Sequence, residues 1–252
     1  HMPDRDSDTV PDGGVVRPTA TDDRSDYQYT SDDVERPELV AALDARVDGA
    51  VRFDTYTKQL YATDASAYEV TPIGVVFPTS TADVASVMAY CDDEGIPVLP
   101  RGGGTSLAGQ TVNEAVVLDF TRHMDSVHWV DPDAGEARVQ PGVVLSELDD
   151  RAADHGLTFG PDPAAGDRSA IGGAIGNNST GAHSLVYEKT DHYVEAAEVV
   201  LADGTVTTFG EVAVSELRGR ADPEGDLEER IAAGVVAVLD DHGEEIRERY
   251  PE

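Results

Sequence analysis

The sequence predicts an α+β fold, with a small βαβ lobe followed by a mostly antiparallel sheet lobe and flanking helices. Three observations carry this. Short β-branched runs at 73–77, 96–99 and 115–120 surround one stretch of helical periodicity. Further on, the turn Asp131-Pro132-Asp133-Ala134-Gly135 and the dipeptide Asp203-Gly204 each separate two strand-like runs, which is the hairpin signal. No internal repeat competes with this reading.

The elements follow in order. Residues 3–30 are rich in Pro, Gly, Asp, Ser and Thr without an apolar period, so residues 1–30 are expected to form a mobile acidic segment. His1-Met2 at its start reads as an expression scar. From Ser31 to Val47 the apolar residues Val34, Leu39, Val40 and Leu43 recur at helical spacing, and 31–66 is expected to be a helical extension. After the strand at 73–77, Ser80-Thr81-Ala82-Asp83 supplies N-cap chemistry. Val84, Val87, Met88 and Cys91 then fall on one helix face, and Gly95 ends the helix. Strands are expected at 126–130 and 136–139, and a helix at 144–155 closed by Gly156. The runs 194–202 and 205–209 flank Asp203-Gly204. Residues 214–252 form a C-terminal segment whose helix, 227–249, carries Leu227, Ile231, Val235, Val236 and Leu239 as its apolar stripe.

Charge narrows the function classes. The 252 residues carry 50 acidic and 18 basic side chains, a formal charge of −32. Such a surface repels phosphate, which argues against nucleic acid and anionic membrane as partners. No apolar run approaches the roughly 18 residues of a membrane span, so no membrane insertion is expected. One cysteine, Cys91, leaves no internal disulfide and no cysteine-based metal site. The acid excess is spread along the chain, and the only lysines are Lys58 and Lys189. That pattern reads as adaptation to strong salt, where screening removes carboxylate repulsion. No secretory signal is read, and the cytoplasm is the expected compartment.

Pro100-Arg101-Gly102-Gly103-Gly104-Thr105-Ser106-Leu107-Ala108-Gly109-Gln110 is the most informative stretch. Consecutive glycines permit positive φ and let a ligand approach bare backbone N–H groups. Several N–H groups turned into one concavity form an anion nest suited to a pyrophosphate, and Thr105 and Ser106 add hydroxyl donors. A Rossmann fingerprint is excluded because too little chain follows for a helix before the next strand. A P-loop is excluded because no lysine stands near. Arg101 either neutralises phosphate or pairs with a carboxylate. A branched side chain at Gly103 is expected to block the ligand while sparing the fold.

The second glycine-rich run extends from Pro161 to Gly181 and is read as a long irregular segment. Gly172, Gly173, Gly176 and Gly181 would allow close approach to a flat ring, and Asn177, Asn178 and Ser179 offer the donors and acceptors a heteroaromatic edge requires. Asp162 either bonds the ligand or turns the chain between two prolines. The histidines have no metal-ligand spacing; His183 and His192 lie near this run and either face the ligand or sit at the surface. No Gly-x-Ser-x-Gly nucleophile elbow occurs.

Taken together, the stretches resemble the FAD-linked oxidases of the vanillyl-alcohol oxidase and p-cresol methylhydroxylase (PCMH) superfamily, closest to its D-lactate, glycolate and D-2-hydroxyglutarate dehydrogenase branch. The resemblance rests on 78–84, 100–106, Val139-Gln140-Pro141-Gly142-Val143, Ile171-Gly172-Gly173, Gly176-Asn177-Asn178-Ser179 and 198–204. It implies a PCMH-type FAD-binding domain over 67–213 and oxidation of a small 2-hydroxy acid to the 2-oxo acid. It further implies that Arg101, Gly102, Gly103, Gly104, Thr105 and Ser106 hold the FAD pyrophosphate, and Gln110 beyond them is expected among the cofactor-binding residues. Pro161, Asp162, Ser169, Gly172 and Gly173 would line the ribityl chain and isoalloxazine, Asn177, Asn178, Ser179 and Gly181 would close over the flavin, and Val199 and Val200 would approach the adenine end. Residues 187–192 most resemble members fused to an iron–sulfur module, so the implied electron acceptor is such a module, a quinone or another carrier, peripheral to a respiratory chain.

Two departures matter. Some members attach FAD through a histidine just after the glycines; Thr105 stands there, so the cofactor is expected to be non-covalent. Members also continue into a further FAD-contacting strand and a substrate domain carrying the catalytic residues. Neither is found after Gly204, so the expectation is a fragment that binds FAD weakly or is isolated without it and is inactive by itself, or a flavin domain needing a partner. A non-catalytic flavin carrier and an N-acetylenolpyruvoyl-glucosamine reductase-like enzyme are the alternatives.

Overall fold

A computed structural model describes residues 36–250. The mobility expected of residues 1–30, and the start of the helix expected from Ser31, lie outside the described residues. The architecture is α+β. A four-stranded sheet has the order β1-β2-β4-β3, with β1 at Ala50–Arg52, β2 at Gly74–Phe77, β3 at Val98–Arg101 and β4 at Val116–Asp119. Strands β2, β3 and β4 run parallel, and β1 pairs antiparallel with β2 in the register Val51 to Val76.

Both faces of this sheet are covered, so β2 and β4 are buried at every position. Val76, Val116 and Leu118 meet Val84, Val87 and Cys91 of helix α3 (Thr81–Asp93) and Leu39, Val40 and Leu43 of helix α1 (Pro37–Asp44). Val75, Phe77 and Val117 face the other way, towards Tyr61 and Leu99.

Helix α3 is bounded as the sequence predicts. The Ser80 hydroxyl accepts from the Asp83 N–H at 3.2 Å. At the other end Gly95 has φ 64, its N–H donates to the Asp92 carbonyl, and the Ile96 N–H reaches back to the Cys91 carbonyl at 2.7 Å. This is a Schellman closure, which needs the left-handed residue that glycine supplies. The carboxylate of Asp83, almost wholly buried, accepts from the N–H groups of Thr79, Asp48 and Gly49 and from the Thr79 hydroxyl.

The stretch 31–66 departs from its purely helical expectation. Beside α1 and helix α2 (Thr55–Leu60) it contains β1, a three-residue strand. Its only strong sequence signal is Val51; what makes it a strand is pairing with β2. Phe53 follows and fills the space beside Gly74, where a Cβ would lie 2.2 Å from the ring.

The second lobe begins with the hairpin of β5 (Val127–Asp131) and β6 (Glu136–Val139), closed by Gly135 at φ 72. Helix α4 (Leu145–Ala153) buries Leu145 and Leu148 against Val143, Ile171 and Ala174. The last two belong to helix α5 (Ile171–Gly176), inside the run expected to be irregular. Its glycines are poor helix formers; burial of Ile171 and Ala174 holds the turn together. After α6 (Ser184–Tyr187) and a 3-10 turn at Thr190–Tyr193, β7 (Ala196–Val200) and β8 (Val206–Gly210) form the second hairpin. Its turn glycine, Gly204 at φ 84, packs against Ala85 and Ala89 of α3. The antiparallel part is thus two separate two-stranded sheets. Helices α7 (Val214–Arg220) and α8 (Leu227–Arg249) close the chain, with an Asp226/Glu229 capping box and an Arg218–Asp240 ion pair. The expected stripe on α8 is only partly covered, since Ile231 and Val235 stay exposed.

Candidate functional site

The glycine loop leaves the carboxyl end of β3 and returns to the start of β4. In parallel sheets ligands gather outside the carboxyl ends of the strands, and the start of α3, which follows β2, lies at this same edge. Among the described residues, the N–H groups of Gly103, Gly104, Thr105 and Ser106 donate to no protein acceptor. Gly104 has φ 65. The loop therefore presents a run of free donors suited to an anion.

The second glycine run docks onto the first. A Cβ on Gly103 would stand 1.8 Å from the Arg168 carbonyl oxygen, and one on Gly102 would stand 2.8 Å from the Ala170 Cβ. The Thr105 and Ser169 hydroxyls share a hydrogen bond at 2.9 Å, and the Gln110 amide donates to Asn177 Oδ1 at 3.1 Å. Gly103 is thus required by its own chain, which overturns the expectation that a side chain there spares the fold. Gly172 is likewise closed in by Pro141, and Gly181 by the carbonyls of Pro161 and Asp162. Gly173 and Gly176 differ: both are exposed, and nothing lies within 4 Å of a Cβ on either. The protein's own packing does not explain these two glycines. They leave α5 with a bare backbone surface beside the loop.

Arg101 does not reach towards the loop's free donors. Its guanidinium is buried and bonds three carbonyls: Nη1 donates to Tyr61 at 3.2 Å and Thr111 at 2.9 Å, and Nη2 donates to Thr63 at 2.8 Å. A Cβ on Gly104 would lie 2.6 Å from Nη2. Arg101 is therefore the underside of the loop. Around it, the Tyr61 hydroxyl donates to Asp119, whose other oxygen accepts from Thr121, and the Ala65 N–H donates to the Gly104 carbonyl. Burial, reinforced by the Asp119 contact, pushes the Tyr61 hydroxyl well above the usual phenol range. Burial lowers the Arg101 pKa against the opposing pull of Tyr61, Asp64 and Asp119. Tyr61, Thr63 and Ala65 carry no motif, and the sequence reading missed them.

The remaining expected residues are scattered around the loop and α5. Pro161 is buried, and Asp162, at φ 47, lies 3.6 Å from His183 Nδ1. Asn178 turns its amide to Asp191 rather than to the loop. Val199 and Val200 lie on β7, tied to the start of α3 by the Thr81 hydroxyl and Glu198 at 2.9 Å. Among the described residues no group of His, Cys, Asp or Glu is placed to hold a metal, and no helix is long and apolar enough to cross a membrane.

Free N–H donors in the loop, together with two exposed glycines on the neighbouring α5, define a domain for a phosphate-bearing cofactor with a flat ring. The sequence profile of the FAD binding domain family matches residues 72–210, and the chain belongs to that family. It is 37% identical over 148 residues to D-2-hydroxyglutarate dehydrogenase of Escherichia coli (strain K12), covering 58% of this chain and 14% of that protein. It is 39% identical over 163 residues to D-lactate dehydrogenase of Archaeoglobus fulgidus, covering 64% of this chain and 35% of that one. In structure it resembles 6-hydroxy-D-nicotine oxidase from Arthrobacter nicotinovorans, with TM-score 0.57 and 25% identity over 65% of this chain and 36% of that chain. The chain therefore spans well under half the length of these proteins. The fold is the PCMH-type FAD-binding fold, and FAD is the cofactor. The residues present fit it on two counts, the free donors of 103–106 and the open glycines of α5.

Proposed function

We propose that the chain is the flavin-binding part of an oxidoreductase that oxidises a small 2-hydroxy acid to the 2-oxo acid. The observation that carries this reading is the pairing of an open donor run at 103–106 with the bare face of α5, in a chain similar to D-2-hydroxyglutarate and D-lactate dehydrogenases. Bound FAD supplies the acceptor for a hydride from the carbon bearing the substrate hydroxyl.

The chain's own residues bind and orient. The N–H groups of Gly103 to Ser106 would hold the pyrophosphate, and the Ser106 hydroxyl would add a donor. Gly173 and Gly176 admit the flat part of the cofactor close to backbone, with the Asn177 amide beside it. Arg101 acts beneath the loop, keeping the donors convergent. Val199 and Val200 belong to the adenine end. Electrons leave for an iron–sulfur module, a quinone or another carrier, and the protein works in a salt-rich cytoplasm, a reading supported by its −32 charge.

The test has two stages. Titration of the 252-residue chain with FAD should quench flavin fluorescence to saturation. A protein in which this chain is joined to a substrate domain like that of its relatives should then reduce an artificial acceptor with D-lactate, glycolate or D-2-hydroxyglutarate. Saturable FAD binding with no turnover on any 2-hydroxy acid by that joined protein would leave a flavin carrier and sink the dehydrogenase reading.

A further inference from the structure

Asn178 and Asp191 close a two-way clip at the end of α5. Asn178 Nδ2 donates to Asp191 Oδ2 at 2.9 Å, and the Asp191 N–H donates back to Asn178 Oδ1 at 3.0 Å. Beside it Thr190, fully buried, donates its N–H at 3.2 Å and its hydroxyl at 2.9 Å to the Ser179 carbonyl. Residues 178–179 are thus tied twice over to 190–191.

The clip holds a backbone that would otherwise relax. Asn178 has φ 44, in the left-handed region, which asparagine tolerates better than most residues but still at a cost. This turn fixes the last residues of α5. The Asn177 N–H donates to the Gly173 carbonyl at 3.0 Å, the Ser179 N–H to the Ala174 carbonyl at 2.9 Å, and the Asn177 side chain receives the Gln110 amide. The Asn178 amide is spent on the clip at both ends, so Asn177 is the asparagine left beside the glycine loop.

We infer that Asp191 and Thr190, acting through Asn178 and Ser179, are positioning residues for the cofactor. They keep the bare face of α5 and the Asn177 amide at a fixed spacing from loop 102–106. This rests on the FAD reading above. Once the loop and α5 are held before binding, the cofactor does not have to order them, and affinity rises accordingly.

The experiment uses a reciprocal exchange. Asp191→Ala removes the clip, and Asn178→Asp sets two carboxylates against each other. Adding Asp191→Asn to Asn178→Asp restores a complementary pair, with the amide and carboxylate exchanged. FAD affinity is read by fluorescence titration, the bound flavin by its absorption band, and the flavin-free chain by hydrogen exchange at 171–181. The expected result is at least a tenfold loss of FAD affinity and faster exchange at 177–181 in the two single variants, with both restored in the double variant. A purely structural clip would lower the melting temperature and leave the affinity and flavin band unmoved. Affinities within twofold of the parent in both single variants, or no recovery in the double variant, would overturn the inference. Where the 252-residue chain by itself takes up no FAD, the exchange measurement decides, and unchanged exchange at 177–181 in Asp191→Ala overturns the inference.

Discussion

The carbonyl oxygen of Arg168 stands 1.8 Å from the place a Cβ on Gly103 would take. The two glycine stretches therefore meet backbone to backbone, and glycine there serves the protein's own packing. Gly173, with open space in front of it, serves nothing within the chain.

Substitution should separate these two kinds of glycine. Gly103→Ala forces the Arg168 segment to move and should destabilise the chain by roughly 1–3 kcal/mol. Gly173→Ala improves helix propensity and should stabilise the flavin-free chain by about 0.5–1 kcal/mol, while weakening FAD binding. Urea denaturation and FAD titration on both variants check this. Unaltered FAD affinity in Gly173→Ala would remove α5 from the cofactor groove.

Arg101→Lys should behave as a loss of shape, with charge kept. A lysine ammonium cannot fork to the carbonyls of Tyr61, Thr63 and Thr111. Stranding buried carbonyls costs about 1–3 kcal/mol each. The variant should melt earlier and bind FAD more weakly, with the same steepness of salt dependence as the parent. A shallower salt dependence would return Arg101 to the role of direct phosphate ligand.

Two buried groups set the pH limits of the fold with opposite signs. Burial raises the Asp83 carboxyl, but donors from Thr79, Asp48 and Gly49 outweigh it and hold the pKa below the ordinary carboxylate value. Its contribution is present near neutrality and is lost as pH falls through the folded value. Burial pushes the Cys91 thiol up to about 11 from 9.0. The unfolded thiol ionises first, so stability is intact below pH 9 and declines as pH climbs towards 11. Denaturation midpoints should fall at both ends, and Asp83→Asn should flatten only the acid side. Cys91 should resist a thiol reagent at pH 8 until the chain is unfolded.

FAD bound to this chain should come away in acid. Thr105 occupies the position after the glycines, and its hydroxyl is engaged with Ser169. Acid precipitation should leave the flavin in the supernatant; flavin mass on a peptide of the pellet would contradict this.

Salt should stabilise the fold. With 50 acidic side chains against 18 basic, self-repulsion is strong in dilute buffer and screened in molar KCl. The melting temperature should rise by several degrees between the two, and a flat profile would end the salt-adaptation reading.

Much of the fold is legible where chemistry is local. Ser80, Gly95 and Asp203-Gly204 announce a cap, a helix end and a turn by their own side chains or lack of them, and all three stand where the sequence puts them. Strand β1 is not local, because three residues with one buried valine become a strand only when Phe77 to Val75 lie alongside. Helix α5 is hidden for another reason, since its glycines speak against it and only the distant Val143 and Leu145 favour it. The same divide runs through the candidate site. The donors of 103–106 follow from the glycines themselves, whereas the task of Arg101 depends on carbonyls about forty residues upstream, which no motif marks. Likewise, the partner of Asn178 lies beyond an intervening turn.

The match to the family profile begins at residue 72, yet the framework under the loop begins earlier. Val51 pairs with Val76, the Phe53 ring lies against Gly74, and two of the three carbonyls gripping Arg101 belong to Tyr61 and Thr63. The stretch the profile matches and the mechanical unit therefore have different borders. A graft cut at residue 72 would carry every recognisable glycine and still arrive with a raw edge on β2, open to pairing with a neighbouring molecule. Its buried guanidinium would also have lost most of its anchorage. Transplanting this groove into another protein means taking the plain residues from Ala50 onward together with the conspicuous ones.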